Sequence, residues 1–395
     1  MPMNSVIVGA ARTPIGKFNG GLASLQAVDL GGRAIEASLG RAGVNGGQID
    51  EVIMGHVLQA GTGQITSRQA AVKGGIPMTV PSLTVNKVCL SALSAIGLAD
   101  RSIRLGDSTT VVAGGMESMS NAPYVMPAAR WGARYGNAEM VDILQHDGLF
   151  CAFDHCTMGE SSDRKNVKLG IGREEQDEWS AMSHARALHA TESGLAANEI
   201  APVEVAQRRG DQILIEHDEG VRASSTADSL GGLRPAFLSD GTITAGNASQ
   251  ISDGAATVVM TSAAHAAAEG LEVAAEIVAY GQIGGPDGTL HERPAEALMA
   301  AVDKAGISVA DLAAVEINEA FAAVSMHSAA MLGIPKDKVN VHGGAVALGH
   351  PIGATGARLI VTLINVLQQR GGGYGAATLC GGGGQGDALL IKVAG

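Results

Sequence analysis

The sequence predicts an α/β fold in which strands buried on both faces alternate with helices. Three observations carry that prediction. Short Val- and Ile-rich runs bounded by Gly recur along the chain, apolar residues at helical spacing fill the intervals, and the two ends of the chain share one layout. The strand runs, in order, are SVIVGAAR from Ser5, EVIMGHV from Glu51, a short stretch from Leu83 to Val85, TTVVAGG from Thr109 and AATVVMT from Ala255. AVEINEA from Ala314, VNVHGGA from Val339, AATLCGG from Ala376 and ALLIKVA from Ala388 complete the set. They are continuously apolar rather than alternating, as strands covered on both faces must be. The clearest helices are LSALSAIGLADRSIRLG from Leu90 and GARLIVTLINVLQQRGG from Gly356.

The shared layout is strand, reactive residue, helix, strand. Leu83 to Val85 leads to Cys89, a helix and a strand ending in AGGMES; VNV leads to His350, a helix and a strand ending in CGGGGQG. This is a candidate internal duplication. Any α/β chain repeats such units, so the pattern by itself leaves duplication open. The segment from about Ser120 to Ser249 breaks the alternation with both Trp, several loop-like stretches and the charged helix REEQDEWSAMSHARALHA. It reads as an insertion over the edge of the sheet core, either a ligand-bearing lid or a structural excursion.

Composition narrows the function classes. The chain has 395 residues, 46% hydrophobic and 17% charged, which suits folded domains and excludes a disordered chain. With 27 Lys and Arg against 39 Asp and Glu, the net charge of −12 argues against nucleic acid or an anionic membrane as partner. Four cysteines are too few for a secreted disulfide framework. The opening MPMNSVIVGAARTP has no apolar leader pattern and IKVAG carries no retention signal, so a cytoplasmic protein is expected.

Cys89 falls where an extended stretch becomes a helix, and a helix N-terminus stabilises a thiolate and lowers a cysteine pKa. Alone, such a cysteine is as readily a small buried hydrophobe. His350 precedes Pro351, which is suited to the first helical position, so its imidazole is expected at the mouth of a helix, as a proton acceptor or as a turn-capping residue. Cys380 ends a strand and is followed by GGGGQG. A returning strand rather than a helix follows, which excludes a nucleotide loop and leaves either an oxyanion-binding turn or a plain tight turn. Cys151, His155 and Cys156 lack a fourth ligand, so no metal is expected. Glu174, Glu175, Asp177 and Glu178 read as a solvated helix face.

Taken together, VNKVCLSALSAI, VEINEAFA, GHPIGATGAR and the terminal CGGGGQG resemble the signature blocks of the thiolase family. ARTPIGKFNG, GHVLQAGTGQITSRQAA, AGGMESMSNAPY, REEQD, ANEIAPVEV, LRPAF and TAGNASQISDGAA extend the resemblance over essentially the whole chain. It implies a thiolase fold, two similar βαβαβαββ halves in a five-layered α-β-α-β-α arrangement, over residues 1–270 and 271–395. A loop domain of about 120–249 is inserted in the first half.

The acetoacetyl-CoA thiolases are the branch it most resembles, implying reversible Claisen condensation of two acetyl-CoA by a ping-pong route within fatty acid metabolism. No metal and no cofactor beyond the coenzyme A thioester substrate is implied, and the partners are acyl-CoA, CoA and further copies of the chain. The family assembles as a dimer or a homotetramer, and AARWGARYGNAEM sits where members carry a tetramer-forming loop.

Carried over residue by residue, Cys89 is the implied nucleophile, His350 its activator and Cys380 the α-carbon acid and base. A water held by Asn318 with His350 forms one oxyanion hole; the N–H groups of Cys89 and Gly382 form the other. Arg222 is implied at the adenine or phosphate end of CoA, with Arg134 a further phosphate partner. Ser249 is implied on the pantetheine, and Ala245, Phe237, Leu149, Met158, Ala320 and Phe321 along the channel.

Two departures stand out. Thr157 replaces the histidine that acetoacetyl-CoA thiolases commonly place before Met158–Gly159, which bears on chain-length preference. Ala92 replaces a common glycine, with the expectation of a tighter pocket. The competing readings are a degradative 3-ketoacyl-CoA thiolase with longer substrates and a noncatalytic acyl-CoA-binding scaffold; a carrier-protein synthase would show a Cys-His-His set where Cys380 stands here.

Overall fold

A computed structural model describes residues 4–207 and 210–395. Two sheets of one topology organise them. In the first, the spatial order is Ser82–Val85, Glu51–Gly55, Thr110–Ser118, Ser252–Ser262, Ser5–Arg12; the first three run parallel and the last two antiparallel to their neighbours. In the second, Leu312–Ile317, Gly373–Gly381, Gln385–Val393 and Ala275–Gly284 follow with the same senses. The remaining edge position is held by a single parallel bridge from Val315 to Val339, so the strand expected at VNVHGGA is not formed. A 3-10 turn at Lys336–Lys338 precedes it, and Asn340 adopts a positive φ of 46° that ends extended backbone at once.

The two sheets meet edge to edge through two residue pairs, Val6 with Glu276 and Ile7 with Ala275, which make one continuous hydrogen-bonded path. Strand alternation then sorts side chains into three cores. Ala256, Val258 and Met260 of the first sheet and Leu389 and Ile391 of the second point inward, onto helices Ser91–Leu105 and Thr355–Gln369. Ala255 and Val259 face outward, to helix Ala27–Ala42; Ala388 and Leu390 face outward, to helix Arg293–Ala305. The layers are therefore α-β-α-β-α. The two central helices approach closely because Gly356 has no side chain: a Cβ there would lie 2.5 Å from Leu93 N.

The chain leaves the first sheet at Ser118 and re-enters it at Ser252. Between lie helices Met158–Leu169 and Arg173–Glu192 and three two-stranded ribbons. Trp179 of the longer helix is buried in the outer core of the second half. The acidic cluster on that helix is only partly solvated: Glu174, Glu175 and Glu178 are exposed, but Asp177 is buried and accepts bonds from Arg173 Nε at 2.6 Å and Asn247 Nδ2 at 2.9 Å. Charge counting could not single it out, because its partner Asn247 lies 70 residues away. Among the described residues no helix is long and apolar enough to cross a membrane.

Candidate active site

Equivalent positions of the duplicated halves supply the two central side chains, each in the segment that enters a central helix. Cys89 stands in the turn between strand Ser82–Val85 and helix Ser91–Leu105. Val88 before it has φ +50°, a conformation that a β-branched residue holds only under constraint. The constraint is local hydrogen bonding. Val88 N–H donates to Asn86 Oδ1 at 3.0 Å, Lys87 N–H to Ser91 Oγ at 2.8 Å, and Ser91 Oγ–H to Val88 O at 2.6 Å.

His350 follows Gly349, whose φ of +111° and close approach to Ser252 leave no room for a side chain. Pro351 is not the first residue of the helix, as its ring suggested. It opens a separate turn whose carbonyl accepts from Ala354 and Thr355 N–H, and the helix begins at Thr355. That extra turn puts the Thr355 hydroxyl under the imidazole.

His350 Nε2 lies 3.2 Å from Cys89 Sγ, and His350 Nδ1 lies 2.7 Å from Thr355 Oγ1. The Thr355 hydroxyl donates its own proton to Pro351 O at 2.9 Å, so it can only accept from Nδ1. The network thereby assigns the proton to Nδ1 and leaves the Nε2 lone pair facing the thiol. Asn318 Nδ2 approaches Nε2 at 3.4 Å, and its buried Oδ1 has no hydrogen-bond partner among the described residues.

Burial dominates the electrostatics. It pushes the Cys89 thiol up to about 12, against the pull of its own N–H and that of Gly382, both aimed at the sulfur, and the buried Glu117 carboxylate adds to the rise. The helix N-terminus was expected to lower this pKa; desolvation overrides it. Burial, with a smaller push from Arg358, brings His350 down to about 3. Cys380 is raised by burial and by its neighbour Cys89. The resting pair is a neutral thiol and a neutral imidazole, and charge arises only when a proton moves between them.

A largely apolar cavity of about 390 Å³ opens onto these groups, with Cys89, His350, Cys380 and Gly382 all on its wall. The structure also brings Leu149, Met158, Phe237, Ser249, Ala320 and Phe321 to it. Phe237 and Phe321 meet edge to face, with centroids 6.0 Å apart. Arg222, Ala245 and Arg134 are exposed and lie off the cavity wall. Asn318 sits behind His350 rather than on the wall.

Thr157 is on the wall, with its hydroxyl engaged by Glu160 N–H at 3.3 Å as the cap of helix Met158–Leu169. Ala92 is not. Its methyl packs against Gly115 of the first sheet, so it does not tighten the pocket. Sequence reading missed Thr355, legible only as a hydroxyl five residues after His350. It also missed Ile352, Leu144 and Gln145 on the wall, for which no motif gave a signal.

The family model described as the thiolase N-terminal domain matches residues 5–264, and that of the thiolase C-terminal domain matches residues 271–393. A protein described as probable acetyl-CoA acetyltransferase of Mycolicibacterium smegmatis is 50% identical over 387 residues, covering 98% of this chain and 100% of its own length. The acetyl-CoA acetyltransferase of Escherichia coli is 48% identical over 390 residues, covering 98% of this chain and 99% of its own. The crystal structure of the Bacillus anthracis acetyl-CoA acetyltransferase is similar with a TM-score of 0.96 at 41% identity, covering 99% of both chains.

Proposed function

The chain belongs to the thiolase family, and on that premise we propose that it interconverts two acetyl-CoA with acetoacetyl-CoA and CoA through an acetyl-Cys89 intermediate. The observation that carries the reading is the 3.2 Å approach of the His350 Nε2 lone pair to Cys89 Sγ beneath a cavity that also exposes Cys380.

In the first half-reaction the Cys89 proton passes to His350 as the sulfur attacks the thioester carbonyl, and the oxyanion is met by the N–H groups of Cys89 and Gly382. The departing CoA sulfur takes the Cys380 proton. In the second, the Cys380 thiolate removes the α-proton of another acetyl-CoA. The enolate oxygen is held by His350 and by a water on Asn318, and its carbon attacks acetyl-Cys89. Released Cys89 sulfur then recovers its proton from His350. Each group ends as it began, and no metal or further cofactor enters.

The apolar lining by Leu149, Met158, Phe237 and Phe321 suits a pantetheine arm, with Ser249 as a polar contact; Arg222, Ala245 and Arg134, exposed and off the cavity wall, are assigned by this reading to the outer end of CoA. Trp131 and Tyr135 are 81% and 101% exposed on the inserted segment, which supports a homotetramer assembled through that surface. Mass photometry tests this, and a monomer would contradict it.

Rates of CoA-dependent cleavage along a 3-ketoacyl-CoA series test the substrate. A marked preference for acetoacetyl-CoA is expected; equal or faster cleavage of longer chains would replace this reading with the degradative one.

A further inference from the structure

Lys87 and Asp387 lie outside the chemistry described above, yet they join the two elements that carry the cysteines. Lys87 is two residues before Cys89, inside the turn strained at Val88. Its Nζ donates to Asp387 Oδ1 at 2.8 Å. Asp387 is fully buried on the strand that returns from the Cys380 turn, and in that ladder it pairs with Leu379 while Cys380 pairs with Gly386.

The same carboxylate reaches the nucleophile's helix: Ser94 Oγ–H donates to Oδ2 at 2.8 Å, and Tyr280 O–H donates to Oδ2 at 2.5 Å. One carboxylate therefore ties the Cys89 turn, the first turn of its helix and the Cys380 hairpin together. The Lys87 ammonium is engaged by Asp387, so the influence argued for it is positional.

We infer that the Lys87–Asp387 ion pair is a positioning device that sets the location of Cys89 relative to His350 and Cys380. The inference rests on the acyl-transfer reading of Cys89. Displacement of a reacting atom by about 1 Å can cost on the order of 100-fold in rate. The turn's internal hydrogen bonds hold Val88 in its constrained conformation, and beside the Cys89–His350 contact the Lys87 ion pair fixes that turn against the opposite half of the molecule.

The test compares wild type, Lys87→Met, Lys87→Arg and Asp387→Asn in three measurements: thiolysis of acetoacetyl-CoA, iodoacetamide labelling of Cys89 by peptide mass spectrometry, and thermal unfolding. Lys87→Met is expected to lower kcat at least about tenfold with KM changed by less than about threefold, and to slow Cys89 labelling in parallel. Lys87→Arg, which keeps a cation within reach, is expected to recover most of both. Asp387→Asn keeps the bonds from Ser94 and Tyr280, so it folds if Lys87→Met does not, and should reproduce the loss.

Rates per folded molecule within twofold of wild type in Lys87→Met or Asp387→Asn would overturn the inference. So would a loss that Lys87→Arg does not relieve. An inactive wild type would refute the acyl-transfer reading instead, while labelling of Cys89 would still report on its position.

Discussion

Replacing Thr355 by Val removes one hydroxyl from beneath His350 and keeps the side-chain shape. Thr355 is fully buried, accepts from His350 Nδ1 at 2.7 Å and donates to Pro351 O at 2.9 Å. The variant leaves a buried imidazole N–H without an acceptor and frees the ring to take the tautomer with its proton on Nε2, where it no longer serves as base. An unsatisfied buried donor costs about 1–3 kcal/mol. If that cost falls on the catalytically competent tautomer, it corresponds to a fall in kcat of roughly 5- to 160-fold. The assay is steady-state thiolysis of acetoacetyl-CoA with kcat and KM separated, alongside iodoacetamide labelling of Cys89. KM should change little, because Thr355 is not on the cavity wall, and Thr355→Ser should restore most of kcat. A folded Thr355→Val protein with kcat within twofold of wild type would refute the assignment of His350 as a base held by Thr355.

Four further outcomes are expected. Because His350 is held down near 3 by burial, kcat/KM for acetyl-CoA should show no acid limb from imidazole protonation between pH 5 and 8 of the kind an unperturbed histidine of pKa about 6.5 would give; a pH–rate profile checks this. His184 and His291 are also lowered by burial, each to about 4. A neutral buried histidine stabilises the fold fully above its unfolded pKa and loses that contribution as pH falls through the folded value, so unfolding temperature should drop steadily from about pH 6.5 to 4. Burial lowers His327 and His342 as well, and these outnumber Glu316, raised to about 8, and Asp253, also raised by burial, which act in the opposite direction. Arg12→Met should destabilise by about 3–5 kcal/mol in urea unfolding, because it strands the buried carboxylates of Glu199 and Asp218, paired at 2.8 and 2.7 Å. Gly384→Ala should cost about 3 kcal/mol or more by the same assay, since its Cβ would fall 1.7 Å from Asp287 O at a φ of +70°.

The chemistry-bearing residues were legible because each sits at a break between regular elements that the sequence marks with Gly or Pro. Cys89, His350 and Cys380 are recognisable from such breaks together with the surrounding family blocks. That the strands are covered on both faces was legible from their uninterrupted apolar runs, whereas the five-layered arrangement was implied by the family resemblance alone. What sequence could not weigh was burial against local electrostatics. A helix start beside Cys89 argued for a lowered pKa, yet enclosure from both halves raises it to about 12. Asp177 looked solvated by composition and is buried against Asn247. Pro351 suggested a helix start, but its carbonyl instead closes a turn that delays the helix to Thr355. In each instance the deciding partner is distant in sequence or is backbone, and neither leaves a mark on local pattern.

Acetylation of Cys89 is the step on which the account depends most directly. Wild-type protein incubated with acetyl-CoA and acid-quenched should carry an acetyl group that peptide mass spectrometry places on Cys89 alone. An absence of adduct in folded protein, or an acetyl group carried by another residue, would contradict Cys89 as the nucleophile.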